Sequence, residues 1–288
     1  MNFAKLQGAG NDFVLVETSD VGRDWAKVAV AICHRRFGVG ADGLLLALPS
    51  EAADIGMRIF NADGFEAEAC GNGLRCLVRY ALDRGLLPGR GAQEVSIETV
   101  IGIRSARIGE RADGSPQIQV SLGAPRFRAE DIPASLGSST GLVDIKSMLV
   151  YSATIGDREL ELNLVSMGNP HAVHFVERPV ADFPLGQIGP AVEHHRIFPQ
   201  RANFEVARVA GRGEIEARVW ERGVGETLAC GSGAAAVAVA AQLRGLAGHS
   251  VAIRLPGGVL DVTWDGSGEV FLGGPAEMVF TGEWLVEV

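Results

Sequence analysis

The chain has 288 residues, enough for one large domain or two modest ones. Its 47% hydrophobic and 21% charged residues call for a packed globular core rather than disorder. A net charge of −9 with no basic stripe argues against a nucleic-acid partner, and no run of like charges marks a tail or a membrane-facing patch.

The opening residues, MNFAKLQGAGNDFVLVE, alternate and carry charge early, so they do not read as a signal peptide. FAKLQG (3–8) and FVLVET (13–18) have strand alternation. WAKVAVAICHRRF (25–37) has helical spacing, with Cys33 on or near its apolar side. MRIFNAD (57–63) is a strand running into a turn. GLRCLVRYALDRG (73–85) is a second helix, ended by Gly85. VSIETV (95–100) and IQVSLG (118–123) close the first half as strands. LNLVSMG (162–168), AVHFVE (172–177) and IEARVWE (215–221) are strands of the second half. GAAAVAVAAQLRG (233–245) is a third helix, far too short and Ala-rich to span a bilayer. VAIRLPG (251–257), VLDVTW (259–264), EVFLGG (269–274) and a last strand from Ala276 onward complete the chain. The expectation is a soluble, cytoplasmic protein with no membrane partner.

Strands and helices do not alternate as regular βαβ units, so the pattern predicts an α+β fold rather than a doubly wound parallel sheet. The halves echo each other. Each has strands, a loop, Ala-Cys-Gly-X-Gly, a helix and more strands, and SLGAP (121–125) is echoed by FLGGP (271–275). This predicts two pseudo-symmetric domains: residues 1–121 plus 275–288, carrying Cys70, and residues 122–274, carrying Cys230.

There are four cysteines. A chain of this size without a secretory signal is not expected to depend on a disulfide framework. No CxxC or HxxxH spacing supplies zinc ligands, so no metal is expected. Cys33 and Cys76 lie on helices and read as core fillers. Cys70 and Cys230 differ, because each stands immediately before Gly-X-Gly and a helix. The first turn of a helix carries unpaired N–H groups and partial positive charge, which favour a thiolate and lower its pKa toward neutrality. Glycines there let an anionic ligand reach the backbone. One such unit reads equally well as a buried cysteine. Two of them, facing one cleft, suit inversion of a stereocentre α to a carboxylate: one thiolate removes a proton, the other thiol returns one, and the helix N-termini hold the developing charge. This chemistry needs no cofactor. Gly231-Ser232-Gly233-Ala234-Ala235-Ala236 also fits GxGxxA, but a polar loop rather than a strand precedes it, and residues 254–258 offer no acid for a ribose.

NADGFEAEACGNGLR (61–75), SMGNPHAV (166–173), FPQRANFE (198–205), ERGVGETLACGSGA (221–234), GAGNDFVL (8–15) and LPGGVLDV (255–262) together resemble the diaminopimelate epimerase family. The resemblance runs in order along essentially the whole chain. It implies two similar domains, each a barrel-like antiparallel or mixed sheet around a central helix, with the active site in the interdomain cleft. It implies cofactor-independent conversion of LL- to meso-diaminopimelate, for lysine and peptidoglycan precursors, by a homodimer. Cys70 and Cys230 match the acid/base pair. Gly71, Asn72, Gly231 and Ser232 match the cradle for the reacting carboxylate, and Asn11 matches a further contact. Asn61, Asn169, Asn203 and Arg222 match the groups holding the distal end, with Arg222 pairing its carboxylate. Glu221 matches a contact to an amino group, and His171 and Glu221 match residues that adjust thiol protonation.

Three positions depart from that pattern. Phe65 stands where a serine is usual, Gly43 where some members carry a substrate-contacting glutamine, and Phe280 where a tyrosine often stands at the dimer contact. Phe65 and Gly43 motivate a second reading, a two-cysteine racemase for another amino acid. A third reading, from a different class, is a redox-sensing or carboxylate-binding protein without catalysis.

Overall fold

The computed structural model describes residues 1–67, 70–87, 94–110, 114, 116–136 and 141–285. Strands dominate and helices are few, giving an α+β fold with mixed pairing. The chain divides into two compact units, Met1–Ser121 with Gly273–Val288, and Leu122–Leu272.

In the first unit β1 (Asn2–Gly8) and β2 (Asn11–Glu17) form a hairpin, and α1 (Trp25–Cys33) leads to β3 (Gly43–Leu48), parallel to β2. β4 (Ile55–Asn61) returns antiparallel along β3, and the two-residue β5 (Glu66–Ala67) folds back on it. After α2 (Gly71–Arg84), β6 (Glu94–Thr99) pairs parallel with β4, and β7 (Gly102–Glu110) and β8 (Pro116–Ser121) follow antiparallel.

In the second unit β9 (Leu142–Ile145), β10 (Met148–Ile155), β11 (Arg158–Ser166) and β12 (Pro170–Phe175) run antiparallel in turn. A 3-10 turn at Val180–Asp182 and α3 (Leu185–Glu193) lead to β13 (Asn203–Gly211), parallel to β12. β14 (Glu214–Glu221) and the short β15 (Gly225–Thr227) follow, then α4 (Gly231–Leu243). β16 (Ser250–Leu255) pairs parallel with β14, and β17 (Gly258–Thr263) returns antiparallel. β18 (Phe271–Gly274) carries the chain out to β19 (Glu277–Glu283), which pairs antiparallel with β1. The run β1-β2-α1-β3-β4-β5-α2-β6-β7 is thus repeated, pairing for pairing, by β11-β12-α3-β13-β14-β15-α4-β16-β17.

Each unit has one helix per face of its curved sheet. α2 packs against β1, β2, β3, β4, β8 and β19; α4 packs against β11, β12, β13, β14, β16 and β17. α4 is buried from Gly233 to Ala241 and has no polar side, as a helix enclosed by strands requires. Its Ala and Val side chains keep it slim. The outer helices are amphipathic. Trp25, Val28 and Ile32 of α1 pack on Val14, Val16, Leu44 and Leu46, and Leu185, Ile188 and Val192 of α3 pack on Leu162, Leu164, Phe204 and Val206. Strand alternation then turns Leu45 and Glu205 toward the inner helices.

Two elements depart from the sequence pattern. α1 stops at Cys33, four residues before the helical spacing ends. The His34 backbone is extended, and its Nδ1 accepts the N–H groups of Arg36 (3.2 Å) and Phe37 (3.1 Å), drawing them out of the helix. α3 lies where the sequence pattern predicts no helix. It tolerates Pro190 in its interior at the loss of one helical hydrogen bond. No helix among the described residues is long and apolar enough to cross a membrane.

Candidate active site

Cys70 and Cys230 occupy the same place in the two repeats. Each is the N-cap of its unit's inner helix, in extended conformation, with φ −139° and −123°. The N–H groups of Gly71 and Asn72, and of Gly231 and Ser232, fall in the first helical turns, where no intrahelical acceptor exists. Glu68 and Ala69, part of the first cysteine motif, lie outside the described residues.

Around Cys70 a polar chain fixes one amide. Cys70 Sγ lies 3.7 Å from Asn11 Oδ1, which also accepts from Asn72 Nδ2 at 3.2 Å. Asn11 Nδ2 donates to Asp42 Oδ2 at 2.7 Å, so its oxygen is held toward the thiol. Arg35 bridges Asp42 (2.7 Å) and Asp12 (2.8 Å), and Lys5 pairs with Asp12 at 2.5 Å. Arg75, fully buried in α2, donates to Asn72 Oδ1 at 2.7 Å. Asn61, exposed at the end of β4, opens the turn that its motif suggests: its N–H donates to Phe65 O (2.9 Å), and Gly64 has φ +88°.

Asp12 links this network to stability. Burial alone would raise its carboxyl, but hydrogen bonds from Arg35 and Lys5 and the Lys5 charge outweigh it, holding the pKa at about 2 against an ordinary 3.8. A depressed carboxylate stabilises the fold above its unfolded pKa and loses that contribution as pH falls through the folded one. Asp12→Asn is expected to cost about 2 kcal/mol near neutrality. Urea unfolding should show that deficit shrinking between about pH 4 and about pH 2.

Around Cys230 the groups are more deeply buried. Sγ accepts the Gly233 N–H at 3.3 Å and lies 3.5 Å from Ser232 Oγ. Asn169 Nδ2 donates to Ser232 Oγ at 3.3 Å, and Asn169 Oδ1 lies 2.9 Å from His171 Nε2. His171 Nδ1 lies 2.7 Å from Glu205 Oε1, both side chains being fully buried. Asn203 Nδ2 donates to Pro170 O (3.0 Å), while its Oδ1 accepts the Arg222 N–H (2.8 Å). Glu221 accepts from Thr227 Oγ1 at 2.5 Å, and burial pushes its carboxyl up. Burial also pushes the Cys230 thiol well above its ordinary value, aided by the charges of Glu221 and Glu205 and opposed by the hydrogen bonds to Ser232 and Gly233. The helix N-terminus alone predicts the reverse; in the enclosed site, desolvation dominates. Cys33 and Cys76 are likewise pushed up to about 12 by burial, and neither caps a helix N-terminus.

Among the described residues no three His, Cys, Asp or Glu side chains converge to hold a metal ion. Each half-site instead offers a thiol, two or more first-turn N–H donors and an orienting asparagine. That equipment can bind a carboxylate and exchange a proton beside it.

The sequence profile of the diaminopimelate epimerase family matches residues 3–128 and 163–279. The chain belongs to this family. Diaminopimelate epimerases of Moorella thermoacetica and Halothermothrix orenii are 44% and 41% identical to it, covering all of this chain and 100% and 99% of those chains. Diaminopimelate epimerase 1 of a Nostoc species is 44% identical over 98% of this chain and 99% of its own. Two crystal structures share the fold at low identity. A phenazine biosynthesis protein of the PhzF family from Bacillus anthracis has a TM-score of 0.71 at 21% identity, covering 99% of each chain. A probable proline racemase from Agrobacterium radiobacter has 0.69 at 14%, covering 99% of this chain and 93% of that one.

Two of the departures from the family pattern have a local explanation. A Cβ at Gly43 would lie 2.8 Å from Phe60 O, so no side chain fits there unless β4 shifts. Phe65 sits on the turn after Asn61 and is 67% exposed, so packing does not limit the size of its side chain. Asp42, Arg75 and Glu205 were not signalled by the sequence reading. Glu205 alone left a trace, a carboxylate in the otherwise apolar run at the start of β13.

Proposed function

We propose that this chain is a cofactor-independent isomerase that interconverts LL- and meso-diaminopimelate, using Cys70 and Cys230 as the base and acid for one α-carbon. The observation that carries it is the repeated half-site: two thiols, each capping an inner helix at the equivalent position and each beside first-turn N–H groups that have no intrahelical acceptor. Membership of the family supports the substrate.

One thiolate accepts the α-proton, and the C–H electron pair stays on the substrate, spread into the carboxylate. The N–H groups of Gly71 and Asn72, and of Gly231 and Ser232, hold that charge. The other thiol then gives its proton to the α-carbon, leaving the two sulfurs with exchanged protonation. In the reverse direction the roles swap. Asn11 contacts the substrate beside Cys70. Asn61, Asn169, Asn203 and Arg222 hold the distal end, and Glu221 takes an amino group. His171 and Glu221 adjust thiol protonation. The same reading has the enzyme working in the cytoplasm as a homodimer, for which the exposed Met278, Val279 and Phe280 on β19 are supporting features.

The test is NMR of LL-diaminopimelate incubated with reduced protein in deuterated water. Deuterium should enter one α-position as the meso form appears. Exchange of a monocarboxylic amino acid with none of diaminopimelate would overturn the substrate, and no exchange of any amino acid would overturn the enzyme.

A further inference from the structure

The repeat makes the two half-sites comparable residue by residue. Phe13 is opposite Gly43 on the parallel β2–β3 ladder, and His171 is opposite Asn203 on β12–β13. Counting from these pairs, Asn11 matches Asn169, Phe13 matches His171, and Leu45 matches Glu205. The match holds against the inner helices. A Cβ at Gly73 would meet Leu45 Cδ2 at 3.1 Å, and one at Gly233 would meet Glu205 Oε1 at 2.9 Å. The first repeat therefore carries a phenylalanine and a leucine where the second, beneath Cys230, carries an ionisable pair.

Packing does not call for that pair. Glu205 Oε2 is buried and finds no hydrogen-bond partner among the described residues, an arrangement that lowers stability. Its value lies in a directed chain. Asn169 Nδ2 donates one hydrogen to Ser232 Oγ, so its Oδ1 is the acceptor facing the ring, and His171 Nε2 must carry a hydrogen. Nδ1 and Glu205 Oε1, 2.7 Å apart, then share one further proton, as imidazolium and carboxylate or as imidazole and carboxylic acid. Either way the donors run from that pair through Asn169 to Ser232. The Ser232 oxygen is occupied as an acceptor, which leaves its hydrogen for Cys230 Sγ at 3.5 Å.

The geometry points to Glu205 as a positioning residue: its proton-sharing bond to His171 sets the direction of the whole chain and turns the Ser232 hydroxyl hydrogen toward Cys230. Without Glu205 nothing holds the His171 tautomer. The ring can then present a bare Nε2, Asn169 turns over to donate to it, and Ser232 donates to Asn169 rather than to sulfur. This deepens the role given to Cys230 above and rests on that reading. The titratable groups on this side of the thiol are Glu221 from β14, Glu205 from β13 and, through Asn169 and Ser232, His171 from β12; the Glu205 charge raises the thiol, by less than the Ser232 hydrogen bond lowers it.

The test follows the protonation of Cys230 directly, by 13C NMR of full-length protein labelled at the cysteine Cβ carbons and titrated with pH. Glu205→Leu should leave about tenfold less Cys230 thiolate at a given pH, a midpoint raised by about one unit. Glu205→Gln, whose amide donates to His171 Nδ1 and preserves the direction, should bring the midpoint back to the original or below it, since the Glu205 charge that raises the thiol is gone. His171→Phe/Glu205→Leu copies the pattern of the first repeat; it should fold with no loss of thermal stability and show the same upward shift, and it replaces Glu205→Leu if that variant does not fold. An unchanged Cys230 titration in the folded leucine variants, or the lowered one that loss of the Glu205 charge alone would give, overturns the inference. So does a Glu205→Gln shift as large as that of Glu205→Leu. Neither readout needs turnover: a shift without diaminopimelate exchange would end the proposed activity and leave the chain standing, and exchange without a shift would end only the chain.

Discussion

Cys70→Ala and Cys230→Ala are each expected to abolish conversion between LL- and meso-diaminopimelate. A positioned acid or base contributes about 10²–10⁴-fold to proton transfer, and inversion needs one of each. With one thiol gone, the remaining one can only return a proton to the side from which it took it. Each variant should therefore exchange the α-hydrogen of at most one epimer with deuterated water, without inversion, and the two variants should prefer opposite epimers. Cys→Ser at either position should be severely impaired too, because a hydroxyl is a far weaker acid than a thiol. The alanine variants should stay folded. Cys230→Ala loses the bond from the Gly233 N–H to Sγ, which as a helix cap is worth about 1 kcal/mol or less. Chiral chromatography of the product, with thermal unfolding as the control for folding, decides it; substantial inversion by either variant would sink the two-thiol mechanism.

Much of the candidate site was legible because its grammar is local. Cysteine before Gly-X-Gly before a helical run announces an N-cap thiol with accessible N–H donors, and both motifs form one. The turn at Asn61 and the strand position of His171 also follow from near neighbours in sequence. The support beneath was not legible, because it depends on pairing across distance. Asp42 holds Asn11 from 31 residues away, and Glu205 meets His171 from 34. Nor does a helix N-terminus by itself disclose that burial will oppose it. That balance depends on how deeply Cys230 is enclosed and on Glu221 beside it.

The same division runs through the fold. Alternating strands such as β1, β14 and β17 declare themselves by period. β3 does not: GLLLAL is buried along nearly its whole length, and an apolar run without alternation carries no periodic signal. α3 is obscured by prolines that are tolerated because its apolar side is held by β10, β13 and β14. α4, by contrast, shows no amphipathic stripe and still reads as a helix, since an Ala-rich run ended by Gly245 has strong intrinsic preference.

Arg222→Met is expected to lower kcat/KM for diaminopimelate by about 10²–10³-fold. The backbone around Arg222 is fixed from two sides: its own N–H is held by Asn203 Oδ1 (2.8 Å), and the next N–H, of Gly223, by Glu193 Oε1 (2.9 Å). The guanidinium is spared. It is exposed, and its one side-chain hydrogen bond among the described residues, Nη1 to Gln200 O at 3.3 Å, is long and engages no carboxylate. A rigid loop carrying an uncommitted fork suits bidentate pairing with a distal carboxylate. Most of the loss should appear in KM, because that carboxylate is bound alike in ground and transition states; a smaller fall in kcat should follow from looser placement of the reacting carbon. Arg222→Lys should recover only part of the loss, since an ammonium cannot form the two parallel bonds. The measurement also separates the two enzymatic readings. A racemase for a monocarboxylic amino acid has no distal carboxylate to lose, so near-normal kcat/KM in Arg222→Met would remove the chief argument for diaminopimelate. A large loss of diaminopimelate turnover, with the thiol titrations unchanged, would place the effect at the distal end of the substrate rather than at the reacting centre.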